Sequence, residues 1–86
     1  MEITSSVESG SLTVDANGKT ILAKDAPASQ EVSNWNPSGP TQIDVTFLPA
    51  GGRIRARLKI VLNGQTICDL SPNKTTDQAD GYTYDV

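Results

Sequence analysis

The chain has 86 residues, enough for one domain, with a formal net charge of −3, no histidine and one cysteine. Lacking histidine, it has neither the usual general base nor the commonest metal ligand. The lone cysteine forbids an internal disulfide and any multi-cysteine zinc site.

Valine, isoleucine and threonine total 21, against 14 for alanine, leucine and methionine, which favours strands over helices. Valine, isoleucine, leucine and phenylalanine make 19 of the 86, so the chain should fold, but around a small core. The expected fold is all-β: a small antiparallel sandwich or barrel of six to seven short strands, with residues 1–86 as a single domain. No stretch approaches the ~18 apolar residues of a membrane span. Met1-Glu2-Ile3-Thr4-Ser5-Ser6 has an acid where a signal peptide carries basic residues. The chain is therefore expected to be made and kept on the cytoplasmic side, unless it is carried out within a larger assembly.

In chain order, period-two alternation predicts strands near 2–8, 11–16, 19–24, 42–48, 53–62, 65–70 and 82–86. The first hairpin, Leu12 to Lys24, turns at Asp15-Ala16-Asn17-Gly18, and loops of two or three residues both give tolerable faces. Asn17-Gly18-Lys19-Thr20 resembles the tail of a phosphate-binding loop. That motif needs a glycine where Thr13 stands and a helix where Thr20-Ile21-Leu22-Ala23 reads as strand. Nor is the segment the start of an EF-hand, since the glycine falls too early and no glutamate closes the loop. It is a turn.

Residues 25–42 differ in composition, with three of the five prolines, three serines, two asparagines and Trp35. They are read as one long Pro/Ser/Asn-rich loop, of the kind that is usually functional or disordered, with Val32 as a short strand piece within it. Trp35 and Asn36 at its tip are candidate partner-binding residues; Trp35 folding back to cap the sandwich is the structural alternative. Beyond it, Ile43, Val45 and Phe47 alternate cleanly and should be core.

The 53–62 strand carries Arg53, Arg55, Arg57 and Lys59 on one face, spaced about 6.8 Å apart by strand geometry. The remaining chain then holds three basic and ten acidic residues, a balance of −7. The ladder is either a face kept soluble by charge or a docking stripe for an acidic surface. For the following hairpin a three-residue loop, Leu62-Asn63-Gly64, is expected, pairing Val61 with Gln65 and Arg57 with Asp69. Ile54, Ala56, Leu58 and Ile60 would then share the inner face with Thr66, Cys68 and Leu70. No internal repeat is evident.

Cys68, inward and without a histidine to activate it, reads as a small core hydrophobe. Asn73-Lys74-Thr75 reads as a turn. Asp77-Gln78-Ala79-Asp80-Gly81 reads as a solvated acidic turn whose oxygens could otherwise hold a calcium ion. Tyr82 and Tyr84 share a face with Val86, as core or as a strand offered to a partner sheet.

No catalytic constellation emerges, so the expected function is a non-enzymatic structural or interaction module with no cofactor and no metal. Its concrete form is a small accessory protein of the decoration or cement type on a phage virion surface. Such a protein would be a homo-oligomer, for example a trimer, gripping shell or neighbouring subunits through Arg53, Arg55, Arg57, Lys59, Trp35, Asn36, Tyr82 and Tyr84. The alternatives are an inhibitor presenting the 25–42 loop and a carbohydrate-binding module using Trp35. Net negative charge and the absence of interleaved aromatics weigh against a nucleic-acid partner, and no membrane partner is expected.

Overall fold

A computed structural model describes residues 1–86 as nine antiparallel strands in two packed sheets, with no helix. The strands are β1 (Glu2–Ser9), β2 (Ser11–Ala16), β3 (Lys19–Asp25), β4 (Ala28–Val32), β5 (Gln42–Leu48), β6 (Arg53–Leu62), β7 (Gln65–Leu70), β8 (Asn73–Thr75) and β9 (Asp80–Asp85). One sheet runs β4-β1-β6-β7, with β8 alongside β6 beyond the end of β7; the other runs β3-β2-β5-β9. The all-β sandwich expected from composition is what forms.

Two strands go beyond the expected six to seven. β4 lies inside the segment read as a loop, and pairs with β1 from Ile3↔Val32 to Val7↔Ala28. Its sequence, Ala28-Ser29-Gln30-Glu31-Val32, has too few apolar residues to signal a strand, because as an edge it buries little. β8 is only three residues long and wholly exposed. What remains of the long loop is residues 33–41.

The core lies between the sheets. Ile3, Leu12, Val14, Ile43, Val45, Phe47, Ile54, Leu58 and Ile60 are essentially inaccessible to solvent, each contributing about 1.5–3 kcal/mol of apolar burial. Between β1 and β2 the chain passes from the first sheet to the second in the single residue Gly10, which holds φ +93° with its Cα hydrogen toward the Leu48 carbonyl. A Cβ there would sit 2.3 Å from that oxygen, so only glycine permits the exchange.

The register of β6 with β7 corrects the expected one. The turn is the two residues Asn63-Gly64, with φ +50° and +78°, so Leu62 pairs with Gln65 and Val61 with Thr66. Ile67 is then an extra residue, a bulge that restores Ile60↔Cys68 and Leu58↔Leu70. Both demands are met: the turn takes the backbone form that matches strand twist, and Cys68 still points inward. Asp69 consequently lies opposite Lys59, not Arg57, and Thr66 is exposed.

The first hairpin solves the same problem identically. Asn17-Gly18 turns with φ +49° and +80°, Ala16 pairs with Lys19, and Ile21 is the extra residue before Val14↔Leu22. The two hairpins thus repeat Asn-Gly-X-Thr-Ile at 17–21 and 63–67. This short internal repeat becomes visible only through its matched turn and bulge.

Candidate functional site

β6 is the longest strand, and strict alternation sends Ile54, Ala56, Leu58 and Ile60 into the core and Arg53, Arg55, Arg57 and Lys59 to solvent. The ladder therefore exists as a column of cations along the middle of the first sheet. Its members differ in their surroundings. Arg53 Nη2 donates to Asn73 Oδ1 at 3.1 Å, and Arg55 Nε meets Glu8 Oε2 at 3.0 Å. Arg57 and Lys59 form no ion pair, the only ones in the molecule being Arg55–Glu8 and Lys74–Asp80.

Around Arg57 the strands supply hydroxyls. It registers opposite Ser6, which registers opposite Ser29. Thr4, Ser6, Ser29, Arg57 and Lys59 bound a shallow concavity of about 400 Å³. Arg55, Arg57, Ser6, Glu8, Ser71 and Asn73 bound a second of about 290 Å³ on the other side. Arg57 thus forms no ion pair and no side-chain hydrogen bond, in a setting of hydroxyl acceptors with the Glu8 carboxylate lining the second concavity.

Carboxylates flank the column on the same face: Glu2 and Glu8 on β1, with Glu8 paired to Arg55, Asp69 on β7 opposite Lys59, and Glu31 on the edge strand β4. Four cations less four carboxylates leave this face with a net charge of zero. Its positive potential is confined to the β6 column, and the simple split of +4 against −7 along the chain does not describe the surface.

The other sheet has the opposite character. Its outward positions include Asp15 on β2, Asp25 on β3, Asp44 on β5 and Asp85 on β9, with no cation among the outward residues of β2, β5 and β9. Asp15 registers directly opposite Asp44, and Gln42 opposite Asp85. Thr20 Oγ1 donates to Asp15 at 2.7 Å, and Thr83 Oγ1 to Asp44 at 2.9 Å. The chain alone did not suggest this cluster, because its members lie far apart in sequence. Only the cross-strand register brings them together.

The remaining predicted residues are elsewhere. Trp35 is half-buried against the core at one end of the sandwich, the capping arrangement, and Asn36 Oδ1 accepts a hydrogen bond from the Met1 ammonium. Tyr82 points inward, its ring edge-on to Phe47 at 6.3 Å and its hydroxyl donating to Asp80 Oδ2 at 3.0 Å. Tyr84 bridges the sheets beside Cys68; burial first, and then its hydrogen bond with Cys68, pushes its hydroxyl pKa up to about 12. Burial likewise raises the Cys68 thiol, so it stays protonated at neutral pH. The three aromatics therefore form no common exposed platform.

In the acidic 77–85 segment, Asp80 is engaged by Lys74 Nζ at 2.6 Å, and this contact holds its carboxyl below the usual range. No group of three or more histidine, cysteine, aspartate or glutamate side chains is arranged to hold a metal ion. Comparison with family models, curated proteins and solved structures finds no match to this chain. Function must be argued from these side chains.

Proposed function

We propose that this chain is a non-enzymatic structural and interaction module that docks onto an acidic protein surface through the β6 cation column, as an accessory component of a larger assembly. The observation that carries this reading is Arg57: a guanidinium at the centre of an outer sheet face, without a carboxylate partner, among the hydroxyls of Ser6 and Ser29. Arginine in such a position offers a fixed fork of donors suited to carboxylates. The small core also suits a domain that gains stability by assembling. A decoration or cement protein on a virion-type shell is the concrete form.

The test is the mass of the native particle that contains the chain. The wild-type chain should be retained in a particle much larger than 9.1 kDa. The R55E/R57E variant should be released from it at moderate salt while remaining folded. A chain recovered only as free monomer, or one retained equally well after charge reversal, would overturn the proposal.

A further inference from the structure

The two outer faces are unlike in a way that makes each a partner for the other. We infer that the acidic outer face of the β3-β2-β5-β9 sheet of one copy docks onto the β6 cation column of a second copy, head to tail. The inference rests on the docking role given above to the β6 column and names its occupant: another copy of this chain. The docking carboxylates are Asp15, Asp44 and Asp85.

Three observations support it. First, Asp15 and Asp44 stand directly opposite each other and neither forms an ion pair. Like charges placed so destabilise a sheet, and a cation from a second molecule would relieve the repulsion.

Second, the dimensions agree. Asp15, Asp44 and Asp85 form a row across three strands, spanning about 12 Å from cross-strand and diagonal spacings. Arg55, Arg57 and Lys59 span about 14 Å along one strand. Asp85 lies two residues along from the Asp15–Asp44 pair, so the row runs obliquely and overlies a column along a strand when the strands of the contacting sheets cross at roughly 55°.

Third, both faces carry short polar side chains around the charges, Thr13, Thr46 and Thr83 on one and Thr4, Ser6 and Ser29 on the other. A face about 20 by 25 Å buries on the order of 1,000 Å² over the two copies, the lower limit for a specific interface. The contact is therefore weak, salt-sensitive and formed at high micromolar concentration.

A head-to-tail contact leaves one free face of each kind at its ends, so it continues into rings or open stacks. Sedimentation of the purified chain tests this with neutralised variants. At low salt the wild type should show a mass rising with concentration, returning to monomer at high salt. R55Q/R57Q and D15N/D44N should each remain monomeric alone, and their equimolar mixture should form a dimer and nothing larger. A monomeric wild type at several hundred micromolar in low salt would overturn the inference, as would D15N/D44N assembling like wild type. In the first case, a chain still held in its native particle through Arg55 and Arg57 would leave the docking role standing with a different partner.

Discussion

The outer faces of the two sheets are built on the same plan yet carry opposite chemistry. Each sheet places an Asn-Gly hairpin at one edge, followed by two further strands, and each hairpin uses a bulged isoleucine to keep its inner side chains facing inward. The inner positions are interchangeable in kind: Val14 and Leu12 in one sheet, Ile60 and Leu58 in the other. The outward positions are where the sheets diverge, with carboxylates across β2, β5 and β9 and cations along β6. In a sandwich the inner half of each strand fixes the fold, leaving the outer half free to define an interaction surface.

The largest effect is expected at Gly10, where β1 passes to β2 in the other sheet. Gly10→Ala should cost about 3 kcal/mol, because the added Cβ meets the Leu48 carbonyl and the backbone must leave its positive φ. Denaturant unfolding would register the loss, and both faces should disappear together. An unchanged midpoint would mean that the sheets do not exchange at this residue.

Alkaline pH should act next most strongly, at the edge where Tyr84 and Cys68 join the sheets. The folded pKa of Tyr84 is raised from 10 to about 12 by burial. Its contribution is therefore complete below pH 10 and is lost as pH rises from 10 toward 12. Thermal melts across that window should show falling stability, and Tyr84→Phe should flatten the dependence. A wild type with constant stability through pH 12 would contradict the buried position.

The smallest effect sharpens the comparison most. Asp44→Asn removes one of two facing carboxylates while leaving an acceptor for Thr83, and should raise monomer stability by about 0.5 kcal/mol. Arg57→Gln, which touches no ion pair, should change stability by less than about 0.5 kcal/mol. A side chain whose removal stabilises the fold is held there for another purpose. If Asp44→Asn were instead destabilising, the aspartate would be structural.

Much of this was legible in the sequence. Seven of nine strands, the inward run Ile54, Ala56, Leu58 and Ile60, and the solvent-facing ladder follow from alternation alone. The hairpin register did not, because parity of the two strands admits either a three-residue loop or a two-residue turn with a bulge. The Asn-Gly pair was the stronger signal. β4 was hidden by its polar edge composition. The carboxylate row was hidden because Asp15, Asp44 and Asp85 come from three strands whose order is a property of the topology. Glu31 on the basic face was hidden for the same reason, since it arrives only through the pairing of β4 with β1, whereas Asp69 was expected on that face and the bulge moves it from Arg57 to Lys59.

The most direct test of face-to-face complementarity is zero-length carbodiimide cross-linking of an equimolar mixture of ¹⁴N- and ¹⁵N-labelled chains. Lys59 is the one amine in the column, and it should couple to Asp15, Asp44 or Asp85 in products that contain one light and one heavy chain. Cross-links of Lys59 confined to single chains, or mixed-isotope products that never join Lys59 to those three aspartates, would contradict the account.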